Sequence, residues 1–285
     1  MKDKLILCID IGGTHIAAAA VQKTDEKISP VADAKGEVDS SADRNAILNQ
    51  WEQTINQVWD SSLHKIDAIL FSMPGPFDYK NGICLMDGMH KYQALLNMDI
   101  KSYFAKKYDV LPNNIQFVND AEAFLLGEIH HYGLQKKQIV GLSIGTGLGS
   151  AFYNGIEVKG LNYGSAPFRE GISEDYMSTR GILSFLRHEG VDGIPNVKAL
   201  IETEDLKQQS DAAFYFLSEA LLEFIEIYVL PLKPDAIILG GNIAKSHNRF
   251  LPSVRKGIDI PILEASFNEW NLFFGLASTI PVHLA

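Results

Sequence analysis

Lysine and arginine never cluster in this chain, and cysteine is almost absent. With 25 basic residues against 35 acidic ones the formal net charge is -10, so no sequence patch is built to grip a phosphodiester backbone or an anionic lipid surface, and neither partner is expected. Cys8 and Cys84 are the only cysteines. Two are too few for a disulfide framework or a zinc site of several thiolates, and they read as reduced thiols in or near the core of a cytoplasmic protein. No run of about 18 uninterrupted apolar residues occurs, so no membrane helix is expected. The apolar stretch after Lys4 resembles a signal peptide only until Asp10 and His15 interrupt it. Low-complexity segments are missing as well. What remains, 46% hydrophobic and 21% charged residues over 285 positions, is the composition of a globular protein long enough for two lobes.

The most informative stretch runs from Leu5 to Val21. An apolar strand carries one carboxylate near its end, Asp10, breaks at Gly12-Gly13-Thr14, and resumes as a strand of small residues. Glycines with access to φ > 0 let backbone N–H groups approach an anion, the Thr14 hydroxyl adds a donor, and Asp10 can hold the water shell of a cation. Phosphate with magnesium is the expected guest. The alternative is a plain Gly-Gly hairpin turn. Against it stands Asp10, a carboxylate in a segment otherwise apolar enough to be buried.

Further along, Thr24 to Asp43 is polar and punctuated by Pro30 and Gly36, and reads as strand or loop. Ile47, Leu48, Trp51, Ile55, Val58 and Trp59 predict an amphipathic helix over 41–62. A buried strand at Ile66 to Phe71 ends in Ser72-Met-Pro-Gly75-Pro, a loop suited to a substrate. A short helix is expected at 99–108, a strand at 115–118 and a helix at 121–132 closed by Gly133. The second half then repeats the opening plan: strand Ile139 to Ile144, glycine turn Gly145-Thr146-Gly147-Leu-Gly149-Ser150, and a strand at 151–154. Helices are predicted at 173–186, with an acidic first turn, and at 206–230. A strand at 235–239 runs into Gly240-Gly241-Asn242, followed by a helix from about 246, a strand near 260–263 and a helix at 268–278. The repetition predicts an internally duplicated, two-lobed α/β protein with one glycine turn from each half facing a central cleft.

The second turn is neither a dinucleotide fingerprint nor a Walker A sequence, because its glycines alternate and it opens a strand. It offers consecutive N–H groups and Thr146 as a second phosphate cradle. Asn119-Asp120 lies where a strand gives way to a helix. Either residue could serve as an N-cap. Alternatively, Asp120 is the carboxylate that accepts a hydroxyl proton during phosphoryl transfer to an alcohol. Gly240-Gly241-Asn242 is a tight turn, or a place where backbone passes close to a flat ligand such as adenine. His130-His131 fit a helix C-terminus better than a metal, and no His, Cys or carboxylate set has zinc-ligand spacing.

In this order, the motifs resemble those of the ROK family, the sugar kinases and sugar-responsive repressors within the actin, hexokinase and heat-shock-chaperone ATPase superfamily. Asp10-Ile-Gly-Gly-Thr14 resembles the first phosphate motif, Asn119-Asp120-Ala-Glu-Ala the catalytic motif, Gly145-Thr-Gly-Leu-Gly149 the second phosphate motif and Leu239-Gly-Gly-Asn242 the adenosine motif. The Ser72 to Pro76 loop is similar to the sugar-side loop. The resemblance implies an actin-like (ribonuclease H-like) duplicated fold, ATP and Mg²⁺, a hexose as acceptor, Asp120 as general base and a homodimer. Phosphates would lie against Gly12, Gly13, Thr14, Gly145, Thr146 and Gly147, adenosine near Gly240 and Gly241, and magnesium near Asp10 through water. Gly75, Asn119, Glu170 and Glu174 would face the sugar. The lobes are expected at 1–119 with about 268–285, and at 120–267.

Two departures from the family pattern stand out. Where members show Gly-Glu-x-Gly-His, an ungapped reading from Asn154 puts Pro167 at the Glu position and Glu170 at the His position, and the cysteines of the zinc loop are absent. Glu174 then resumes the pattern, as a sugar ligand or as an acid at a helix N-terminus. The Asn expected after the sugar-side loop is replaced by Asp87-Gly-Met-His90-Lys91. A zinc-independent sugar kinase is the reading; the alternatives are a non-catalytic sugar sensor or regulator of ROK type, and an ATPase without a sugar. A repressor's helix-turn-helix is not expected, because the first phosphate strand begins by residue 5.

Overall fold

The computed structural model describes residues 3–62, 66–89 and 91–281. The sequence reading at His90 therefore lies outside the described residues. The chain divides into two compact units, Met1–His130 with Asn268–Ala285, and His131–Phe267.

In the first unit β1 (Lys4–Ile11), β2 (His15–Lys23) and β3 (Ile28–Glu37) form an antiparallel meander, followed by α1 (Arg44–Ser61) and β4 (Ala68–Met73). A small hairpin, β5 (Phe77–Asp78) and β6 (Ile83–Cys84), precedes α2 (Ile100–Tyr108), β7 (Ile115–Asn119) and α3 (Asp120–Tyr132). The sheet order is β3-β2-β1-β4-β7, with β1, β4 and β7 parallel. Both predicted interruptions of β3 are absorbed. Pro30 sits on an edge strand where the register shifts against Val21, a place that tolerates its missing N–H. Gly36 is where α1 comes closest, and a Cβ there would overlap the Thr54 hydroxyl. The predicted helix over 41–62 is α1, capped by Asp43, which accepts the Ala46 N–H at 3.0 Å.

The alternation of β1 separates two apolar layers. Leu5, Leu7, Ile9 and Ile11 pack with α1 and α2, whereas Ile6 and Cys8 pack with Ala123 of α3 and with Phe273, Leu276 and Ala277 of the last helix, α8 (Glu269–Ser278). Burial pushes the Cys8 thiol well above its ordinary range, in keeping with an inert core thiol. Contact between α3 and α8 is close because glycine faces glycine. A Cβ on Gly275 would overlap the backbone at Leu126 and Gly127. This packing holds most of α3 in the first unit, so the boundary falls at His130/His131, past residue 119. The closing segment is also tied by Lys23 of β2, whose ammonium donates to the carbonyls of Ala277 (3.0 Å), Ser278 (2.7 Å) and Ile280 (2.6 Å), groups that a helix end leaves unsatisfied.

The second unit repeats the plan. Its strands are β8 (Ile139–Ile144), β9 (Leu148–Tyr153) and β10 (Val158–Gly160), a short hairpin of β11 (Pro167–Phe168) and β12 (Gly171–Ile172), and later β13 (Ala236–Gly240) and β14 (Ile262–Glu264). The main sheet runs β10-β9-β8-β13-β14, antiparallel in the meander and parallel across β8, β13 and β14. Strand for strand this matches the first unit, and the α/β duplication expected from the repeated turn is realised. Helices α4 (Thr179–His188), α5 (Val197–Glu202), α6 (Lys207–Phe224) and α7 (Leu251–Gly257) complete it.

Three local expectations are corrected. The helix predicted at 173–186 begins only at Thr179, where Ser178 caps it, and Glu174 and Asp175 belong to a separate single turn. The long helix at 206–230 loosens into a wider turn over Ile225–Val229 before Pro231. Strand β9 starts at Leu148 rather than 151, so the second glycine turn shortens to residues 145–147.

Gly275→Val should lower stability by about 2–4 kcal/mol, the cost of overpacking a helix contact that has no room for a side chain. Urea denaturation of the variant checks it.

Candidate functional site

In open α/β sheets, ligands collect at the carboxyl ends of parallel strands. The first unit brings its predicted residues there by register. Asp10 pairs with Ser72, and Met73 pairs with Asn119, so the ends of β1, β4 and β7 lie side by side with Asp120 one residue further on.

The first glycine turn joins β1 to β2. Its hairpin is closed by the Gly12 N–H, which donates to the His15 carbonyl at 2.9 Å. Gly13 and Thr14 follow it, and among the described residues their N–H groups have no hydrogen-bond partner. Neither Gly12 nor Gly13 adopts positive φ, which corrects the expected reason for glycine. A Cβ at Gly12 would meet the ring of His15, an exposed side chain that could turn aside, whereas a Cβ at Gly13 would have nothing within 4 Å. Tyr92 supports the turn from behind. Fully buried, it donates its hydroxyl to the Gly12 carbonyl and its N–H to the Ser40 carbonyl at 2.6 Å, with its ring edge-on to Trp51.

Asp10 sits beside this turn, with its carboxyl raised above the usual carboxylate range by desolvation. Buried Ser72 and the nearby His15 lower it again, while the charges of Asp120 and Glu269 add to the rise.

At the start of α3 the capping question has a definite answer. Asn119 Oδ1 accepts the Ala121 N–H at 3.0 Å, and Glu122 Oε2 accepts the Asn119 N–H at 3.4 Å, a reciprocal cap across three residues. Asp120 is thus not required as the cap. Its Oδ1 accepts the neighbouring Ala121 N–H at 2.9 Å, and the residue is exposed. Desolvation nevertheless raises its carboxyl above the ordinary 3.8, opposed by the Ala121 hydrogen bond and then by the charge of Lys91. Asn119 Nδ2 donates to the Tyr79 hydroxyl at 2.9 Å, and that hydroxyl donates to the Met73 carbonyl at 3.2 Å. Burial pushes Tyr79 up to about 12, so it stays a neutral phenol. Gly75 lies against the same hydroxyl, 3.2 Å from its built Cβ. Gly75, Tyr79, Asn119 and Asp120 therefore form one continuous edge.

The second unit holds the other predicted residues. Gly145 N–H donates to the Gly147 carbonyl at 2.9 Å, leaving the Thr146 and Gly147 N–H groups without a partner among the described residues. Both turns thus close with their first glycine and present the next two N–H groups. Gly240 pairs with Ser143, and Gly241, at φ +88, packs so closely on Ile144 that a Cβ would overlap its backbone. Glycine at 241 is explained by this tight turn, which also sets the adenosine-like motif beside the second glycine turn.

On the expected sugar side, Pro167 and Glu170 are both exposed on the β11–β12 hairpin. The hairpin is held by Arg169, whose guanidinium lies 5.2 Å from the ring centres of both Phe168 and Tyr176 and forks onto Glu223 at 2.8 and 2.6 Å. The Tyr228 hydroxyl adds a bond to the Pro167 carbonyl. Among the described residues no group of three or more His, Cys, Asp or Glu is arranged to hold a metal ion. Glu174 does not stand free. Its Oε2 accepts the Leu148 N–H at 3.0 Å directly after the second glycine turn, and its Oε1 lies 3.4 Å from Arg180.

Tyr92, Tyr79 and Arg169 were not singled out by the sequence. Each also has a partner far along the chain, Gly12 for Tyr92, Asn119 for Tyr79 and Glu223 for Arg169.

Two matching sheets, each with a hairpin turn that offers paired N–H groups, define a duplicated α/β protein of the actin-like ATPase fold. The ROK family model matches residues 6–268, and the chain belongs to that family. Among solved structures of similar fold is a ROK hexokinase from Thermus thermophilus, 16% identical, with a TM-score of 0.70 and coverage of 96% of each chain. A ROK family glucokinase from Streptomyces griseus, in complex with glucose and AMPPNP, is 18% identical with a TM-score of 0.69, covering 96% of this chain and 98% of that one. A ROK family transcriptional regulator, a homologue of the E. coli Mlc protein, is 17% identical with a TM-score of 0.72, covering 96% of this chain and 76% of that one. No curated protein sequence matches the chain.

Tyr92→Phe should cost about 1–2 kcal/mol, since the hydroxyl that satisfies the Gly12 carbonyl is lost from a buried position. Denaturant melts of the variant and wild type measure it.

Proposed function

We propose that this protein is an ATP-dependent sugar kinase, which transfers a phosphoryl group to a hydroxyl of a hexose or hexose derivative and releases ADP. What supports this most directly is the edge of the first unit: a turn with two N–H groups that have no partner among the described residues and a neighbouring carboxylate, Asp10, beside a second carboxylate, Asp120, that the helix does not need as its cap.

Asp120 is the general base in this reading. Its carboxylate accepts the proton of the attacking sugar hydroxyl, while Gly75 and Asn119, and Glu170 from the second unit, are assigned to the sugar. Gly13 and Thr14 would hold phosphate through their N–H groups, as would Thr146 and Gly147, with Gly12 and Gly145 shaping the turns and Gly240 and Gly241 flanking adenosine. These N–H pairs fit such an anion. Bound Mg²⁺, held near Asp10 through water, would neutralise charge on the transferring phosphate. We take the enzyme to work in the cytoplasm as a homodimer. No helix among the described residues is long and apolar enough to cross a membrane.

The deciding experiment is coupled ADP release over hexoses, amino sugars and N-acetylated sugars. Sugar-dependent ADP release is expected; thermal stabilisation by a sugar without turnover would instead mark a sensor, and ADP release that ignores sugar would mark a plain ATPase. Asp120→Asn should reduce turnover by about 10²–10⁴-fold while AMPPNP binding persists. The base must be ionised to act, so kcat/KM should fall as pH drops through the Asp120 pKa. Because desolvation raises that pKa, the fall should centre above 3.8. Gly13→Ala has space for its methyl group and should change stability by less than about 0.5 kcal/mol, yet the methyl group beside the N–H pair should weaken AMPPNP binding measured by calorimetry.

A further inference from the structure

Directly after the second glycine turn comes the N–H group of Leu148, the first residue of β9, and the chain supplies its own anion to it. Glu174 Oε2 accepts this N–H at 3.0 Å. The same carboxylate lies over two glycines. A Cβ on Gly147 would overlap Oε2, and one on Gly164 would come within 3.4 Å of it. The carboxylate thus lies directly over Gly147 and in ordinary contact with Gly164, whose own Cβ would first meet the Leu148 carbonyl.

The carboxylate is braced on its other side. Arg180 reaches Glu174 Oε1 at 3.4 Å and Asp175 Oδ1 at 2.8 Å. Ser178, the cap of α4, donates its hydroxyl to the Glu174 carbonyl at 2.7 Å, and Thr179 donates its N–H (2.8 Å) and hydroxyl (3.0 Å) to the Gly145 carbonyl. The start of α4 thus grips the first residue of the turn while Glu174 grips the residue that follows it. Between the two grips lie Thr146 and Gly147, the pair whose N–H groups have no partner among the described residues.

We infer that Glu174 is a positioning residue of the nucleotide side: its carboxylate pins Leu148 and thereby holds the Thr146 and Gly147 N–H groups in the arrangement that receives phosphate, instead of binding the sugar. The inference rests on the proposed kinase reading for its choice of ligand. Its consequences differ from those of a sugar contact. Losing the carboxylate frees the turn and weakens nucleotide binding. Contacts to the acceptor stay as they were.

The test uses the full chain with AMPPNP, in the absence of any sugar, by calorimetry, together with KM values for ATP and for a sugar that wild type turns over. Glu174→Ala should raise the AMPPNP Kd and the KM for ATP about tenfold, as expected when a charge-assisted hydrogen bond that orders a loop is lost, and should leave the KM for sugar within about twofold. Glu174→Gln keeps an oxygen for the Leu148 N–H and should restore most of the nucleotide affinity. Gly147→Ala, which crowds the carboxylate, should weaken AMPPNP in the wild-type background, and the double variant Gly147→Ala/Glu174→Ala should weaken it by less than the two single effects combined. A raised sugar KM with unchanged AMPPNP affinity would overturn the inference in favour of a sugar ligand, and unchanged values for both would overturn it outright. Should wild type release no ADP with any sugar, the kinase reading fails, while the AMPPNP titrations still decide the role of Glu174. Should Glu174→Ala not fold, the Glu174→Gln and Gly147→Ala titrations decide it.

Discussion

A turn between two antiparallel strands leaves backbone N–H groups that the sheet cannot pair, and the chemistry assigned to this protein depends on where they go. In both units the first glycine of the turn folds its N–H back to close the hairpin: Gly12 onto His15, and Gly145 onto Gly147. The two N–H groups that follow have no acceptor in the protein among the described residues. Unpaired adjacent donors are costly if buried and useful if they meet an anion. Their recurrence at equivalent places in two sheets of matching strand order ties the duplication of the fold to the proposed nucleotide chemistry.

The same accounting separates the two residues at the start of α3. A helix N-terminus needs an acceptor, and Asn119 provides it together with Glu122. Asp120 is thereby available for a proton. Its neighbourhood pulls in two directions. Desolvation disfavours the charge and makes the carboxylate a stronger base, while Lys91 and the Ala121 N–H keep the ionised form accessible. Tyr79 links this corner to the Gly75 loop through Asn119, so that the loop and the helix start are held by one phenol.

Where the resemblance would lead to expect a zinc loop, the chain forms a hairpin around a stacked arginine. Arg169 lies against two aromatic rings and an acidic partner, and with the strand pairing and the Tyr228 hydroxyl it orders a short segment. Such an arrangement holds the segment without cysteine, and it leaves Pro167 and Glu170 on the surface of the unit.

Much of this was legible without coordinates. Periods of two and of 3.6 residues marked β1, α1, β8 and most of the remaining elements, and the repeated strand, glycine turn and strand announced the duplication, because these signals are local and each segment carries its own. Errors arose where short-range signals competed. The acids at 174 and 175 resemble a helix start, but Ser178 and Thr179, engaged with the Glu174 and Gly145 carbonyls, fix the true one. Sequence alone determined which residues are candidates for the chemistry: Asp10, Asp120 and the two glycine turns. Tertiary structure decided which groups of those residues are free to act. A glycine N–H closes its turn onto a carbonyl two or three residues on, which the folded hairpin fixes, and Glu174 meets an amide 26 residues away, which no local pattern encodes.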